Sequence, residues 1–389
     1  MEIYKGIAAG HTGHEELIDF LNYVFGMNGT KRNFLTLLPK LYKEQYHPED
    51  YNFIVTEDGK LRASIGAYPI AISVMGETLN GIGIGNVAVH PFHRHKGYMK
   101  DCMKMALDNA MQKGYDFAAL GGQRQRYAYF GFEPAGVAGK FVLNRHNLRH
   151  AYGTFENTTG FTVKQVLEGD TELLSAIKAL VESRIAYSIR PEDRYFDVLS
   201  NWQGKVFAVL DETGVFAGYY LYGGDYITKV SEIDCVKDED AGKVLRAAFA
   251  AIGEEEISIT VPEYSKVFYD LLFAIAEECC VANIEDYCVY HFTKIANACL
   301  KLKYDTVSLP EGEVTMEIDG VNGKEKLMLS VMDGKAEVTP FDGECDFHFT
   351  HRQAMAVLFG LHAMERRGLP AAVQAWLPLP LYVPEVDND

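Results

Sequence analysis

The chain has 389 residues, of which 48% are hydrophobic and 23% are charged. This is an ordinary globular balance with material for two or three domains. Acidic residues outnumber basic ones by 54 to 37, and the net charge of −17 argues against nucleic acid or an anionic membrane as the main partner. A cationic small molecule or a basic peptide is a better match for this negative net charge. The first residues lack a secretory signal pattern and no run of about 18 apolar residues occurs, so we expect a cytoplasmic protein.

Residues 1–150 alternate helical and strand patterns. Apolar residues recur at helical spacing over residues 15–25, and extended patterns with turn signals between them follow over residues 53–89. A second helical pattern covers residues 98–111, and a short strand follows at residues 116–120. The order predicts a mixed α/β domain, with hairpins first and a strand–loop–helix–strand segment after them.

Two further segments follow a loop-rich stretch over residues 144–160. Residues 151–286 repeat the order of the first segment in a weaker form, which predicts a second copy of the same fold. Residues 287–389 begin with a helix, continue with four short strands joined by Asp-Gly turns, and add another helix. The predicted fold class is therefore α/β with mixed sheets, in two similar domains and an α+β third domain.

The segment over residues 86–100 has the clearest chemical pattern. An apolar strand ends at Pro91, and a basic loop with Arg94, Lys96 and Gly97 opens a helix. The first N–H groups of a helix have no intrahelical partner and the dipole is positive there, so this pattern predicts an anion site suited to a pyrophosphate. The glycine patterns of Rossmann and P-loop nucleotide sites are missing.

A second segment, over residues 121–134, carries a candidate proton donor. The strand before it ends in two glycines, and a short helix with Tyr127 follows. A tyrosine is neutral at pH 7 and can donate a proton to a leaving thiolate, which suits a general acid. Tyr129 and Tyr98 are alternative donors, and Tyr127 could instead be a packing residue.

The metal-ligating residue types form no recognisable site. Seven cysteines are scattered along the chain, and nothing basic flanks the Cys279-Cys280 pair, so we expect reduced thiols in the core. His90, His93 and His95 are close in sequence but lack a cysteine or carboxylate at ligand spacing. The sequence therefore predicts no metal.

Together, the two segments resemble the GNAT N-acetyltransferases. Arg94 to Met99 is similar to their acetyl-CoA motif, [QR]-x-x-G-x-[GA], with Met99 in place of its last small residue. Tyr127 to Phe132 is similar to their closing Y-x-x-x-G-[FY] element. The plan of the whole chain resembles the Eis (enhanced intracellular survival) subgroup, with a catalytic GNAT domain at 1–150, a degenerate GNAT-like domain at 151–286 and a sterol-carrier-protein-like domain at 287–389.

The resemblance implies an acetyl-CoA-dependent N-acetyltransferase. The acetyl group would move by direct attack, in a ternary complex, to a primary amine of a cationic acceptor such as an aminoglycoside, a polyamine or a lysine. Tyr127 would be the general acid, and the C-terminal carboxylate, on Asp389, would be the general base. The residues implied to bind the cofactor are Val87, Ala88, Val89, His95, Lys96, Gly97, Tyr98, Met99, Lys100, Gly122 and Gln123.

Two further expectations accompany this reading, and two alternatives to it remain. The resemblance implies a homo-oligomer, such as a hexamer. In the second domain, Asp238-Glu239-Asp240 stand where a pyrophosphate loop would fall, so we expect no coenzyme A there. The alternatives to an enzyme are a lipid carrier, suggested by the third domain, and a binding protein that senses acyl-CoA.

Overall fold

The computed structural model describes residues 2–27, 32–224 and 226–388. Within these residues the chain forms a large mixed sheet of thirteen strands, a separate sheet of four strands, and helices that pack on both sheets. No helix in this described portion is long and apolar enough to cross a membrane.

The N-terminal part, described over residues 2–27 and 32–152, contains six strands and six helices in those two stretches. The strands are β1 (Ile3–Ile7), β2 (Asn52–Glu57), β3 (Lys60–Val74), β4 (Glu77–Val89), β5 (Phe117–Leu120) and β6 (Glu133–Asn144). The helices are α1 (His14–Gly26), α2 (Phe34–Leu37), α3 (Pro39–Tyr42), α4 (Tyr98–Gln112), α5 (Arg124–Tyr127) and α6 (Arg145–Tyr152).

The middle part, residues 162–289, contains seven strands and four helices within its described residues. The strands are β7 (Thr162–Val166), β8 (Ala186–Ser188), β9 (Lys205–Leu210), β10 (Phe216–Gly223), β11 (Tyr226–Cys235), β12 (Glu256–Pro262) and β13 (Glu278–Val289). The helices are α7 (Thr171–Glu182), α8 (Tyr195–Leu199), α9 (Ala241–Ile252) and α10 (Lys266–Ile275).

The C-terminal part, residues 292–388, contains the small sheet and three helices. The strands are β14 (Gly312–Gly320), β15 (Gly323–Met332), β16 (Lys335–Pro340) and β17 (Phe347–Thr350), and the helices are α11 (Phe292–Thr306), α12 (His351–Leu358) and α13 (Ala371–Trp376). All four strands were predicted, because each has an alternating apolar pattern between strong turn signals.

The N-terminal and middle parts repeat one topology. In the first, β2, β3 and β4 pair as antiparallel neighbours and β4 pairs with β5 in parallel after the crossover helix α4. In the second, β9, β10 and β11 are antiparallel and β11 pairs with β12 in parallel after α9. A parallel pair needs such a crossover connection, so each part contains a similar strand–helix–strand unit.

The two parts exchange their last strands at the centre of the sheet. The strand order is β1-β2-β3-β4-β5-β13-β6-β12-β11-β10-β9-β7, with β8 beside β3. Strand β6 of the N-terminal part thus pairs with β12, and β13 of the middle part pairs with β5. β13 also runs unbroken through residues 286 and 287, where the sequence analysis placed a domain boundary. The division into three domains stays a prediction.

The two faces of the sheet near β5 pack against different parts of the chain. Ala118 and Leu120 pack beneath α4, whereas Phe117 faces the C-terminal part and joins its core. The interior of that part is filled by large side chains, including the fully buried Trp376 and Phe359. Burying one such side chain stabilises the fold by roughly 1.5 to 3 kcal/mol, so this core holds the C-terminal part against the large sheet.

The prediction that all cysteines are buried is wrong for one pair. Cys279 and Cys280 are exposed, whereas the other five cysteines are buried. The pair lies at the start of β13, beyond the four residues, 286–289, that pair with β5. A strand over residues 278–289 was not predicted, so these residues could not be placed at the end of a strand that pairs with β6 but extends beyond β5.

Candidate active site

A bulge in β4 opens the sheet where the candidate site lies. Asn86 has a left-handed backbone (φ 54°), and the pairing of β3 with β4 shifts register between Ser64 and Gly66. The amide of Asn86 donates to the Tyr42 hydroxyl, which holds the bulge. β4 pairs with β5 only over residues 81–83. Beyond this point the two strands are unpaired, and a bulge redirects the backbone groups that follow it.

The loop before α4 presents backbone N–H groups to the same opening. His95 and Gly97 both have left-handed backbones, with φ of 67° and 84°, and α4 begins at Tyr98. A Cβ atom built on Gly97 would meet nothing within 4 Å. The loop therefore leaves space over the helix start, where unpaired amides and the positive end of the dipole favour an anion.

One lysine of the basic loop is tied to a carboxylate that the sequence analysis missed. The Lys96 ammonium contacts both oxygens of Glu57, at 3.0 and 2.9 Å, and the Tyr98 hydroxyl donates to the same carboxylate at 3.1 Å. The hydrogen bond from Lys96 lowers the pKa of Glu57. The Lys96 side chain thus anchors the loop to β2, while Arg94, His95 and Lys100 are exposed around the helix start.

A cleft of about 840 Å³ runs from this loop to the end of β5. Such a volume lies within the range of pockets that hold cofactor-sized molecules. Its lining residues are Val24, Phe25, Val87, Val89, His93, Arg94, His95, Gly97, Tyr98, Met99, Lys100, Gln123 and Arg126. Most of the residues predicted to bind the cofactor thus share one cleft.

Three residues predicted to bind the cofactor lie outside that lining. Ala88 is buried under α1, because its side chain points to the opposite face of β4 from those of Val87 and Val89. The Lys96 side chain is held by Glu57. Gly122 lies under the Tyr127 ring, since a Cβ atom there would come within 2.7 Å of Tyr127 Cε2.

Tyr127 lies directly behind the wall of the cleft. Its neighbours Gln123 and Arg126 line the cleft, and the Tyr127 ring itself is only 7% exposed. Burial raises the pKa of the phenol, and the nearby Arg126 guanidinium partly opposes that rise. The side chain is therefore protonated at neutral pH, as a proton donor must be before it acts.

The two alternative tyrosines have different surroundings. The Tyr98 hydroxyl already donates to Glu57 at the start of α4. Tyr129 is 72% exposed, and the Lys100 ammonium lies 4.6 Å from the centre of its ring. The Tyr127 ring, by contrast, lies against Gly122, just after the end of β5.

Two acidic residues of β13 face the end of β5, and sequence reasoning did not find them. Asp286 pairs with Leu120, and a Cβ atom on Gly121 would lie 2.8 Å from Glu285 Oε1. Asp286 is 7% exposed, and burial raises its pKa to about 6; Arg124 opposes the rise and Glu133 adds to it. The strand exchange alone brings these carboxylates to the site.

The C-terminal tail is held by buried cations from both repeated parts. The Arg190 guanidinium donates to both oxygens of Asp387, at 3.0 and 2.9 Å, and also binds Glu232. Lys40 donates to the backbone carbonyls of Asp387 and Asn388, at 2.5 and 2.8 Å. Arg190 and Lys40 are both buried, so the tail forms part of the folded interior.

The last described residue of the tail bonds to one of these two acidic residues. The Asn388 amide donates to Glu285, the residue that lies against Gly121 at the end of β5. The side chain of Asn201 supports the tail through the carbonyls of Val386 and Asn388, at 3.0 and 3.3 Å. Asp389, predicted to carry the general base, lies outside the described residues.

The histidines near the loop contact one another. The His90 and His93 rings lie 5.1 Å apart, and His90 accepts a hydrogen bond from the N–H of Phe92. Among the residues that the structure describes, no group of three His, Cys, Asp or Glu side chains is placed to hold a metal ion.

Comparison with known proteins agrees with this geometry. The sequence model of a family described as "Acetyltransferase (GNAT) domain" matches residues 8–135, the range that contains the bulge, the loop, the cleft and Tyr127. Members of this family use an acyl-CoA co-substrate and act on amines. No curated protein matches the sequence.

Several solved structures have a similar fold over nearly the whole chain. A GCN5-related N-acetyltransferase from Kribbella flavida superposes with a TM-score of 0.67 at 18% identity, covering 97% of this chain and 95% of its own. One from Anabaena variabilis gives 0.66 at 13% identity, with 99% and 98% covered. Eis1 from Mycobacterium abscessus gives 0.62 at 16% identity, with 98% of both chains covered. At such identities the likeness concerns the fold alone. Residues 8–135 of the chain therefore match the acetyltransferase (GNAT) domain, and the chain shares its mixed α/β fold with these proteins over nearly its full length.

Proposed function

We propose that the protein transfers an acetyl group from acetyl-CoA to a primary amine of a cationic acceptor. The observation that carries the proposal is the cleft between the α4 loop and the end of β5, with Tyr127 directly behind its inner wall. Aminoglycosides, polyamines and lysine side chains are the acceptor classes that fit a chain of net charge −17.

The cofactor would lie along the unpaired end of β4. On the edge of β4 that β5 leaves unpaired after residue 83, backbone groups of Val87 to Val89 would pair with the amides of the pantetheine arm as an added strand does. The pyrophosphate would lie over Gly97, at the start of α4. Arg94 and Lys100 would supply positive charge around it.

The chemistry then needs a base for the amine and an acid for the thiolate. An amine with a pKa near 10.4 is protonated at pH 7, and removing that proton costs roughly 4.6 kcal/mol. We assign the base to the carboxylate of the C-terminal residue, because Asn388, next to it in the chain, bonds to Glu285 at the end of β5. The neutral amine attacks the thioester carbonyl, and Tyr127 gives its proton to the departing sulfur.

The remaining parts would shape the site without binding a second cofactor. We propose the three-domain division at residues 1–150, 151–286 and 287–389, with a sterol-carrier-like third domain, as the arrangement that surrounds the acceptor. The lipid-carrier alternative is disfavoured, because Trp376 and Phe359 fill the interior of the C-terminal part. A cytoplasmic location and a homo-oligomer, such as a hexamer, complete the proposal, and the oligomer rests on the resemblance to the Eis subgroup alone.

Replacing Tyr127 with phenylalanine tests the assignment of the acid. Tyr127→Phe keeps the ring on Gly122 and removes only the hydroxyl group, so kcat should fall by about 10²-fold or more while the affinity for acetyl-CoA changes little. Tyr129→Phe is the matched control, because that hydroxyl lies on an exposed ring, and it should leave kcat unchanged. Unchanged turnover in Tyr127→Phe would overturn the role of Tyr127. Binding of acetyl-CoA without turnover for any amine would favour the acyl-CoA sensor.

A further inference from the structure

The turn that carries Tyr127 ends against the C-terminal part of the chain. His351, the first residue of α12, places its Nε2 atom 2.9 Å from the carbonyl oxygen of Gly131. A carbonyl only accepts hydrogen bonds, so Nε2 must carry the hydrogen and donate it. His351 is 8% exposed, and burial lowers the pKa of its ring, so the donating form is the neutral imidazole.

The beginning of the same turn is tied to the next residue of α12. Arg352 Nε lies 3.1 Å from one oxygen of Glu133, and Arg124 contacts the other at 2.5 Å. Arg124 is the first residue of α5 and Tyr127 is its last. Glu133 is only 3% exposed, and a carboxylate shared by two guanidiniums in a buried place is held firmly. Both ends of the turn over residues 124–131 therefore connect to α12.

Packing fixes the turn between these two links. Gly131 has a φ of 95°, and a Cβ atom there would lie 2.8 Å from Val321 and 3.1 Å from the sulfur of Cys288. The N–H of Phe132 also reaches back to the Tyr127 carbonyl at 3.4 Å. Val321 belongs to the C-terminal part and Cys288 to β13, so the turn has little room to shift.

The contact between Cys288 and His351 does not form a nucleophile pair. Their side chains are 3.7 Å apart, but Cys288 is fully buried and burial raises the pKa of its thiol. A reactive cysteine needs a thiolate in an accessible place. The contribution of His351 is therefore to hold the turn.

We propose that α12 positions the general acid: His351 and Arg352 hold the end and the beginning of the turn that carries Tyr127. The inference rests on the proposed function, because it takes Tyr127 as the proton donor. It gives the C-terminal part a role in the acetyl transfer itself, as the support that keeps the phenol in line with the departing sulfur. Displacing a catalytic group by about 1 Å can cost 10²-fold in rate.

The first test removes the link at Gly131. His351→Ala should lower kcat about tenfold or more and leave the KM for acetyl-CoA nearly unchanged, because the cleft is built by other elements. His351→Gln keeps a donor and should restore part of kcat. The matched control is His348→Ala, since His348 also lies in the C-terminal part but on the exposed side of β17. Equal losses in His351→Ala and His351→Gln, or in His348→Ala, would overturn the proposal.

The second test separates positioning of Tyr127 from general support of the fold. In the Tyr127→Phe background, His351→Ala should cause little further loss, because the positioned proton is already gone. The same fractional loss in both backgrounds would mean that His351 only stabilises the fold, and would overturn the proposal. A large effect of Tyr127→Phe with no effect of His351→Ala would refute the positioning role and leave the proposed function standing. No effect of Tyr127→Phe would refute the assignment of the acid instead.

Arg352 offers a variant that should fold even if His351→Ala does not. Its side chain is 73% exposed, so Arg352→Gln removes one partner of Glu133 without leaving a cavity. We expect a twofold to fivefold fall in kcat with unchanged thermal unfolding, and again no further loss in the Tyr127→Phe background. Unchanged kcat in Arg352→Gln would refute the link at the beginning of the turn.

Discussion

The strand–loop–helix units of the N-terminal and middle parts have the same topology and opposite chemistry. Between β4 and α4 the loop carries Arg94 and Lys96, and a Cβ atom on Gly97 would meet empty space. Between β11 and α9 the residues 238–240 are all acidic. A Cβ atom on Gly242 would lie 3.0 Å from the Tyr152 hydroxyl. The same backbone plan thus offers an open, basic helix start in one place and a covered, acidic one in the other.

The end of β11 is also occupied by a side chain of the protein itself. Arg184, next to α7, forms two hydrogen bonds of 2.7 Å with Asp234 and also reaches the Cys235 carbonyl. In the N-terminal part, the corresponding end of β4 lines the 840 Å³ cleft. The difference indicates that the topology supplies only the frame, and that a few loop residues decide whether a ligand can enter.

The two strands that the parts exchange, β13 and β6, also differ in the charge that they bring to the neighbouring unit. Opposite the end of β5, β13 brings Glu285 and Asp286. Opposite the end of β12, β6 brings Ala138 and Gly139. The carboxylates therefore lie beside the N-terminal unit alone, although the middle part supplies the strand that carries them. The middle part also binds the C-terminal tail, because its Arg190 forms an ion pair with Asp387.

The largest expected effect is the loss of activity when the end of the C-terminal tail is removed. Removing residues 388 and 389 takes away both the proposed base and the bond to Glu285, so kcat should fall by about 10²-fold or more. Acetyl-CoA should still bind with nearly unchanged affinity, because the cleft is built by other residues. Steady-state kinetics and isothermal titration calorimetry separate the two quantities.

The control for the tail keeps its length. Asp389→Asn removes a side-chain carboxylate but retains the terminal one, so it should behave nearly like the wild type. Loss of activity in Asp389→Asn, or normal activity after removal of both residues, would contradict the assignment of the terminal carboxylate as the base.

Reversing the charge of the basic loop before α4 should weaken the binding of acetyl-CoA to the N-terminal unit. We expect Arg94→Glu with Lys100→Glu to weaken acetyl-CoA binding by about tenfold or more at low salt, and by less as salt screens the charges. The matched control is Lys237→Glu with Lys243→Glu beside α9, which should leave affinity unchanged. Equal weakening in both double variants would mean that only net charge matters, and would contradict a site confined to the first loop.

A smaller effect should follow from the backbone of Gly97. An alanine there keeps a left-handed conformation that costs an L-residue about 1 to 2 kcal/mol, so the free energy of unfolding should fall by that amount. The KM for acetyl-CoA should also rise about fivefold, because that strain shifts the loop over the pyrophosphate. Gly253→Ala is the control, since Gly253 has a φ of 78° and open surroundings at the end of α9. It should lose similar stability without any change in KM.

The last effect concerns stability alone, as a change in how the free energy of unfolding depends on pH. The pKa of Asp286 is about 6 in the folded chain against an ordinary value of 3.8, so the folded state binds its proton more tightly than the unfolded state. This carboxyl therefore lowers stability as pH rises from about 4 to 6, and its effect is constant above that range. Asp286→Asn should be more stable than the wild type at pH 7, by on the order of 1 to 3 kcal/mol.

Thermal or urea unfolding at pH 4, 5, 6 and 7 measures this difference. Asp270→Asn is the control, because the Asp270 side chain is 61% exposed. The free energy of unfolding of this variant, relative to the wild type, should not rise from pH 4 to 7. If the difference in the free energy of unfolding between Asp286→Asn and the wild type stays constant from pH 4 to 7, the raised pKa of Asp286 is contradicted.

Local sequence patterns predicted the helices and strands whose ends are marked by turn or loop residues. The helix from Tyr98, the short helix that carries Tyr127 and the strands of the small sheet were all found, because their signals lie within about ten residues of one another. The basic loop could be placed at a helix start for the same reason.

The features that complete the site depend on residues far apart in the chain. The pairing of β13 with β5 brings Glu285 to Gly121, and nothing near either residue indicates that partner. Glu57 binds Lys96 across 39 positions, and Arg190 binds Asp387 across 197. Such contacts follow from the order of strands in the sheet, which a single sequence specifies only through the whole fold. The bulge at Asn86 is likewise set by pairing with β3.

Release of the coenzyme A thiol from acetyl-CoA tests the central claim most directly. It would be measured with polyamines, aminoglycosides and lysine peptides, for the wild type and for the variant Arg94→Glu with Lys100→Glu. The account predicts release that depends on an amine, and a rise in the KM for acetyl-CoA in the variant. No acetyl-CoA binding by the wild type, or equal release by both proteins at low acetyl-CoA, would contradict the placement of an acetyl-transfer site at the first strand–loop–helix unit.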